Sequence, residues 1–366
     1  MKSKSTAVQD DLLSATNSTA APQVPVKNSR CAQPTGSAPL RRAFLFQVAG
    51  VAGGIALALS PGFRRFASAA EQRNYAGYRF ALEIERVAVG QLRSIEGGFP
   101  RADVISEPTP SGFAKKHLGP LWIPEIVAQI GMPVHGVLAD WIGATLNGAP
   151  IRKSGAILTL DFDYKMATKM QFSNAIISGI GFPAFDASSK QAGILTLKIA
   201  PEMSAPVAGD GSVVKIDGAG KQQEWLSSNF RLTIPVIDCT HVSKIEAFEV
   251  KQTTQPGVPM EARSPSKAPG RLEISNLTLQ ISEQNSGSFY AWYQDMVVKG
   301  NGEKSERDAT LQLLDRDTKT VLQTLNFHNV GICAFAPVVS SAVATESIRR
   351  VQVELYCERM TFGQAG

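Results

Sequence analysis

The sequence predicts a mainly β protein of the α+β class, built from two tandem domains that each contain one short helix. Three observations support this prediction. Segments in which apolar and polar residues alternate with period two recur along the chain, as in half-buried strands. One stretch in each half has the apolar spacing of a helix. The second half also repeats the first, which indicates that one arrangement of elements is used twice.

The internal repeat is clearest when Lys116 is placed on Lys267, an offset of 267 − 116 = 151 residues. The offset is 150 before this region and 155 after it, where Asn174 meets Asn329. Small drifts of this kind are expected because insertions fall in loops. At offset 151 the identical pairs are Gly119 with Gly270, Leu121 with Leu272, Ile123 with Ile274, Gln129 with Gln280, Ile130 with Ile281, and Trp141 with Trp292.

The length of 366 residues and the hydrophobic content of 43% are sufficient for two domains with buried cores. The formal net charge of +5 is unevenly placed, since residues 1–69 hold eight basic and two acidic residues. The remaining chain therefore has 37 − 8 = 29 basic and 32 − 2 = 30 acidic residues, a net charge of −1. Binding to nucleic acid usually requires a basic surface, so no specific nucleic-acid partner is predicted.

The N-terminal segment divides into two parts. Residues 1–40 are rich in Ser, Thr, Ala and Pro and predict a disordered tail. Residues 41–70 predict a twin-arginine export signal, because two arginines precede a weakly apolar run and a small-residue cleavage site. The residues of this predicted signal are Arg41, Arg42, Ala67 and Ala69. A working signal would make the export machinery a partner and the periplasm the location; the alternative is a basic tail that is not exported.

Each copy opens with an alternating strand, at residues 79–87 and 230–236. A Pro- and Gly-rich excursion follows each opening strand, and its polarity predicts that it projects from the domain. A second strand is predicted at residues 271–282. The helix comes next, because apolar residues recur at positions i, i+3, i+4 and i+7. These residues are Phe289, Trp292, Tyr293 and Met296, matched in the first copy by Leu138, Trp141, Ile142 and Thr145.

The rest of each copy is predicted to be β structure. In the second copy a hairpin joins residues 309–314 to residues 321–327 through a tight turn. Closing strands are predicted at residues 193–199 and 347–357. The stretch between the copies is rich in Gly and small residues and predicts a linker. The predicted boundaries are 76–202 for the first domain, 203–226 for the linker and 227–362 for the second domain.

The paired acids Asp161 with Asp163 and Asp315 with Asp317 are the most enzyme-like feature of the sequence. Two carboxylates can hold a divalent metal or share acid and base roles. Each pair, however, lies between two alternating strands, where Asp and Thr close tight turns by bonding their own backbone. We therefore interpret both pairs as turns.

The histidines and cysteines form no recognisable catalytic or metal-binding motif. The sequence has no HExxH, GxSxG, CxxC or phosphate-loop pattern. No catalytic, cofactor-binding or metal-binding residue is predicted, no cofactor is expected, and the protein is predicted not to be an enzyme. The histidines are His117, His135, His241 and His328, and the cysteines are Cys31, Cys239, Cys333 and Cys357.

The order of motifs in the second half resembles the tail tube proteins of contractile phage tails and related bacterial injection systems. In that family an opening aromatic strand, a Gly-x-Leu strand, a helix with Trp and a hairpin turning on Asp-x-Asp follow one another. An aromatic-x-Asn segment then leads to a Pro and a last strand. The matching residues are Phe230, Gly270, Trp292, Asp315, Asp317, Phe327, Asn329 and Pro337, and more weakly Phe80, Gly119, Trp141, Asp161, Phe172, Asn174 and Pro183.

The resemblance implies a structural protein. Each copy would be a small tail-tube-like β-sandwich or barrel whose sheet joins its neighbours' sheets in a ring, and the rings would stack or cap a tube. It also implies a homo-oligomeric ring, trimer or hexamer, with sheath or baseplate proteins as further partners. Without a working export signal, the protein would lie in the cytoplasm or in a phage-tail-like particle. The alternative function is an exported periplasmic binding module or enzyme that has reused the fold, with a cleft between the copies.

Overall fold

The structure, a computed structural model, describes residues 79–110, 112–216, 225–256, 267–338 and 349–364. The predicted tail and the predicted export signal lie outside these residues. The described chain consists mostly of antiparallel strands with few helices, so the predicted mainly β class is confirmed. No helix within the described ranges is long and apolar enough to cross a membrane.

The first half of the described chain is a closed barrel. Its elements are β1 (Arg79–Ile84), β2 (Val87–Glu96), β3 (Arg101–Glu107), β4 (Lys115–Trp122), β5 (Ile126–Gly131), α1 (Gly136–Leu146), β6 (Lys153–Leu160), β7 (Met166–Phe182), β8 (Phe185–Asp186), β9 (Ile194–Ala200) and β10 (Met203–Ala208). The sheet runs in the order β7-β6-β1-β2-β5-β9, and β9 pairs again with β7. Strand β10 pairs with the first part of β7, residues 168–173.

The second half repeats this order of elements, and all its strands except the hairpin at residues 248–274, which extends the first sheet, form a second sheet. Its elements are β11 (Phe230–Thr233), β12 (Val242–Ile245), β13 (Phe248–Pro256), β14 (Lys267–Ile274), β15 (Leu277–Ser282), α2 (Gly287–Tyr293), β16 (Arg307–Leu314), β17 (Val321–Pro337) and β18 (Arg350–Gln364). This sheet runs in the order β11-β16-β17-β18-β15-β12-β8, so it borrows β8 from the first half. The long β18 takes the place of both β9 and β10. It pairs with β17 along most of its length, whereas β9 and β10 pair with different parts of β7.

The predicted opening strands are shorter than expected. The first, at residues 79–87, ends at Ile84 because Glu85 and Arg86 turn the chain with positive φ angles of 51° and 70°. The chain then returns as β2, which the sequence analysis did not separate from the first strand. The second opening strand likewise ends early, at Thr233.

The two Pro- and Gly-rich excursions do not behave alike. The first forms β3 and β4, which pair with each other and with no other strand among the described residues. The second begins and ends as β13 and β14, and β13 pairs with β7 of the first half. The expectation that both excursions only project is therefore wrong for the second. On β13, Phe248 and Val250 lie just before this excursion and are buried, at 4% and 1% exposure, and Gln252 within the excursion is 5% exposed.

The segment predicted as a linker, residues 203–226, has ordered structure at both ends. It begins with β10, and near its end Trp225 is buried. The indole Nε1 of Trp225 donates to the Asn229 carbonyl at 2.8 Å. Gly193 lies directly against the indole, where a Cβ would come within 2.0 Å of the ring. A glycine is therefore required at position 193 for this tryptophan to pack.

The two halves anchor their helices in the same way. Trp141 and Trp292 are both buried, and each donates from Nε1 to a backbone carbonyl at 2.8 Å, that of Ile151 and that of Ser305. The predicted helical stripes face the core accordingly, with Tyr293 the one residue of the stripes that is only half-buried. Buried residues of the two halves form one continuous hydrophobic core.

Candidate assembly interface

The two halves meet where the hairpin β13–β14 adds to the end of β7. Residues of β13 align antiparallel to this end, from Phe248 opposite Phe182 to Lys251 opposite Gly179. The rings of Phe182 and Phe248 stack with their centroids 4.8 Å apart. Main-chain hydrogen bonds of the added strand supply affinity, and the buried aromatic pair fixes the register. We call this contact the half-to-half joint.

Glu249 links the hairpin to the first barrel by charge. Its carboxylate accepts a hydrogen bond of 2.5 Å from Lys198 Nζ and lies 3.4 Å from Lys251 Nζ. Burial alone would raise the pKa of Glu249, but the hydrogen bond and charge of Lys198, followed by the charge of Lys251, outweigh it and lower the pKa. The carboxylate is therefore ionised within the joint.

A second set of polar contacts holds the outer strand β14. Arg152 donates from Nη2 to the Lys267 carbonyl at 2.5 Å and from Nη1 to Glu202 at 2.7 Å. Glu202 also accepts a hydrogen bond of 3.1 Å from the Lys267 backbone N–H. The Lys267 ammonium donates to the Ile123 carbonyl at 3.0 Å. Burial lowers the pKa of Lys267, although the charges of Glu125 and Glu202 oppose this shift.

The joint also includes α1, which packs against the last strands of the second half. Gln323 on β17 is fully buried, and its Oε1 accepts from the Val134 N–H at 3.4 Å. Its Nε2 donates to the Val134 carbonyl at 3.1 Å. Gly143 of α1 faces β18, and Ala139 and Leu146, on the same side of the helix, are buried. The end of the second half thus covers the helix of the first.

The surface of the second half that matches this helix face is exposed. At offset 151, Tyr290 and Val297 occupy the positions of Ala139 and Leu146. Ala139 and Leu146 are 2% and 4% exposed, whereas Tyr290 and Val297 are 49% and 44% exposed. On α2 and on the π-helical turn that follows it, Gln294–Val298, the second half therefore presents larger apolar side chains to solvent at the positions that α1 buries.

The end of β17 is the counterpart of the end of β7. At offset 155, residues 334–337 match residues 179–182. The end of β7 lies between β9 and β13, whereas residues 334–337 pair, within the described part of the chain, with β18 alone. Phe335 stands where Ile180 is buried, and its ring lies 5.4 Å from that of Tyr290. The sheet of the second half thus has an open edge at the position where the first half accepts a hairpin.

The hairpin β3–β4 is the counterpart of β13–β14. Both hairpins shift register at the same place, between Ala102 and Val104 in one and between Gln252 and Thr254 in the other. A two-stranded ribbon that joins no sheet is marginally stable by itself. Its exposed apolar side chains, together with Phe99 just before it, are Phe99 at 57%, Val104 at 59%, Ile105 at 42%, Phe113 at 83%, Leu118 at 73% and Trp122 at 41%.

Both acidic pairs close turns, in agreement with their interpretation from the sequence. Asp161 accepts from the backbone N–H groups of Asp163 and Lys165 at 2.9 and 2.8 Å. Asp317 accepts from the Thr320 hydroxyl at 2.6 Å and from the Thr320 N–H at 2.8 Å. These bonds, with that from the Lys319 N–H, lower the pKa of Asp317 to about 2. The carboxylates of Asp161 and Asp317 are thus occupied by groups of their own turns.

The histidines do not come together in the fold. The four histidines lie on β4, before α1, before β12 and on β17. No cluster of three or more His, Cys, Asp or Glu side chains suited to a metal ion occurs among the described residues. Arg41, Arg42, Ala67 and Ala69 lie outside the described residues, so the twin-arginine signal stays a prediction.

Sequence reasoning missed the polar residues of the joint, which are Arg152, Lys198, Glu202, Gln323 and Lys267. None of them belongs to a motif, and most act through backbone partners far away in the sequence. A signal was nevertheless present, because two of these residues, Arg152 and Lys198, have the opposite charge in the second copy.

No family model and no curated protein sequence matches the chain. Among solved structures, a chain of an extracellular contractile injection system, the PVC sheath–tube complex in its extended state, is 20% identical with a TM-score of 0.33. That match covers 39% of this chain and 99% of the other. The PVC sheath/tube terminator is 21% identical with a TM-score of 0.33, over 38% of this chain and 100% of the other. Hcp1 from Flavobacterium johnsoniae is 12% identical with a TM-score of 0.24, over 37% and 95%.

Further similar structures come from the anti-feeding prophage. Its baseplate contains a chain 11% identical with a TM-score of 0.31, and its tube-terminating cap a chain 19% identical with a TM-score of 0.29. Apart from Hcp1, these similar structures are named as parts of a sheath–tube complex, a sheath/tube terminator, a baseplate and a tube-terminating cap. Each match covers less than half of this chain.

Proposed function

We propose that this protein is a structural component whose copies join head to tail into a closed ring, and that such rings belong to a tube. Each chain supplies two tube-like domains, residues 76–202 and 227–362. One observation carries the proposal: three surfaces that the halves bury against each other, the outer face of α1, the end of β7 and the hairpin β13–β14, have exposed counterparts in the other half among the described residues.

The exposed surfaces complement one another. Among the residues that the structure describes, the chain offers an unpaired hairpin, β3–β4, in its first half and an open strand edge, residues 334–337, in its second half. A second copy can satisfy both by repeating the half-to-half joint between chains. Contacts of this head-to-tail kind generate a ring when the rotation closes, and closure removes every open edge.

The duplication suggests the number of copies. If the joint between chains has the same geometry as the joint within a chain, successive domains are related by one repeated rotation. Three chains then supply six similar domains, the number expected from the tail tube resemblance. We therefore propose a trimeric ring with sixfold pseudosymmetry, for which sheath or baseplate proteins would be further partners, and no catalytic role.

The alternative function is an exported binding module or enzyme with a cleft between the two copies. The halves instead share a core, in which Phe248 contacts both Phe182 and Phe327 with ring centroids 4.8 and 5.8 Å apart. The described residues offer no cluster of metal-binding side chains to supply its chemistry.

Native mass spectrometry and negative-stain electron microscopy of the purified full chain test the ring. We expect a species with three times the mass of the chain and ring-shaped particles with a central opening. A protein that remains strictly monomeric at high concentration would overturn the proposal.

A further inference from the structure

The two strand edges that receive hairpins differ in charge. We call the end of β7, residues 179–182, with the side chains around it the first socket. The end of β17, residues 334–337, with the side chains around it is the second socket. The register of the strands matches them residue by residue. Gly179 pairs with Lys198 in the first socket, and Ala334 pairs with Glu354 in the second. A lysine of the first socket is therefore replaced by a glutamate in the second.

Two further positions can be matched in the same way. Lys153 pairs with Ala175 and Arg307 with Val330, which places Arg152 of the first socket at the position of Glu306 in the second. Ile176 pairs with Ala200 and Gly331 with Tyr356, so that Glu202 corresponds to Glu358. The charged groups are thus Arg152, Lys198 and Glu202 in the first socket, and Glu306, Glu354 and Glu358 in the second.

The three acids of the second socket are held in place by neutral groups. Glu354 accepts a hydrogen bond of 2.7 Å from the Asn276 amide, and Glu358 accepts one of 2.8 Å from the Asn329 amide. Glu306 accepts from the Tyr356 hydroxyl at 2.6 Å. Three oriented carboxylates around one open strand edge form a surface that favours a cationic partner strand.

The free hairpin β3–β4 carries cations where such a partner needs them. The shared register shift matches Ala102 with Gln252 and Leu121 with Leu272. Counting along each strand from these pairs places Arg101 at the position of Lys251, and Lys116 at the position of Lys267. Glu249, the acid that neutralises the first socket, corresponds to the uncharged Phe99. The acids of β3, Asp103 and Glu107, already contact Trp122 and His117, at 3.2 and 3.9 Å.

Docking by the geometry of the half-to-half joint would bring these charges together. Lys251 lies opposite Gly179, so Arg101 would lie opposite Ala334 and beside Glu354. The backbone of Lys267 contacts Arg152 and Glu202, so Lys116 would lie beside Glu306 and Glu358. The hairpin cations are thus the same in sign in both joints, and the charge reversal lies in the sockets, at Lys198 against Glu354 and at Arg152 against Glu306.

We propose that the second socket binds the β3–β4 hairpin of a second copy of this chain, and that the charge reversal between the sockets decides which hairpin enters which socket. This proposal rests on the proposed ring. The wrong combinations leave like charges together: in the first socket β3–β4 would bring Arg101 to Lys198 without the neutralising Glu249, and in the second socket Glu249 would face Glu354. Repulsion of this kind selects partners as strongly as attraction does. The chain therefore assembles head to tail, with its halves alternating around the ring.

The test gives the second socket the charges of the first, with the variant Glu306→Arg/Glu354→Lys in the full chain. We expect association at least about 100-fold weaker by sedimentation equilibrium, with an unchanged circular dichroism spectrum. Adding Arg101→Glu and Lys116→Glu to the same chain should restore the ring, because the pairs then have opposite signs again. Asp163→Lys/Glu283→Lys, which alters exposed acids elsewhere by the same total charge, is the matched control and should assemble like the original chain.

A milder variant keeps the test decisive if the reversed socket fails to fold. Glu306→Gln/Glu354→Gln retains the shape of the side chains, and its association should be about 10-fold weaker and less sensitive to salt. A chain whose rings are unaffected by either socket variant would overturn the inference and leave the ring intact. Loss of rings that the reversed hairpin does not restore would also overturn the charge assignment. A wild-type chain that never associates would instead overturn the proposed function.

Discussion

Replacing residues 102–121 by a short glycine-rich turn is expected to leave a folded chain that no longer forms rings. These residues form most of β3–β4, which joins no other sheet in the described part of the chain. Arg101 and Trp122 are paired at the base of the ribbon, so a short turn can connect them. An isolated ribbon adds little stability, and we expect the melting temperature to change by only a few degrees. Native mass spectrometry should detect the monomer alone.

The matched control removes the equivalent hairpin of the second half, residues 248–274. Phe248 and Val250 are buried against the first barrel, and Lys267 is tied to Arg152 and Glu202. Loss of this hairpin should destabilise the whole chain strongly, because it opens the shared core. If the chain without β3–β4 still assembled into rings, this hairpin would not be the contact between copies.

Trp292→Ala is expected to lower the free energy of unfolding by about 3–5 kcal/mol, the usual cost of truncating a buried tryptophan. Trp292 is 3% exposed, and its Nε1 donates to the Ser305 carbonyl at 2.8 Å. The substitution leaves a cavity under the helix and removes the partner of that carbonyl. Trp141→Ala should cost a similar amount, because Trp141 makes the same contact with Ile151. Urea denaturation followed by circular dichroism measures both.

The control for this prediction is Trp122→Ala, which truncates a tryptophan of the free hairpin that is 41% exposed. We expect it to change the stability of the monomer by less than about 1 kcal/mol. A loss at Trp122 as large as that at Trp292 would mean that β3–β4 packs against the chain in solution. Little loss at Trp141 and Trp292 would contradict the description of the two helices as equivalent core anchors.

The local parts of the fold could be predicted from the sequence because their signals are local. Alternation gave the hairpin of β16 and β17, whose turn is closed by Asp317 as expected. The spacing of apolar residues gave both helices, with Trp141 and Trp292 facing the core. The missed break between β1 and β2 depends on positive φ angles at Glu85 and Arg86, which those residue types rarely adopt.

The joint could not be predicted in this way, because its contacts connect distant parts of the chain. β13 pairs with a strand about 70 residues earlier, and Gln323 meets Val134 across 189 positions. Neither contact has a pattern in the residues beside it. The Pro- and Gly-rich composition of the second excursion pointed instead to a projecting loop. The two copies do differ in charge, at Arg152 against Glu306 and at Lys198 against Glu354. The pairing of the strands is needed to show that these residues correspond.

Disulfide trapping of the joint between chains tests the central claim most directly. In the joint within the chain, Glu249 lies opposite Gly181, and the corresponding residues between chains are Phe99 and Ala336. Residues opposite each other on antiparallel strands have Cα atoms about 4.5–5.5 Å apart, within reach of a disulfide. Under mild oxidation, Phe99→Cys/Ala336→Cys should give covalent dimers and trimers and nothing larger, while each single variant should give no such series. Absence of cross-links specific to the double variant, or a series that continues well beyond three chains, would contradict a closed ring of this chain.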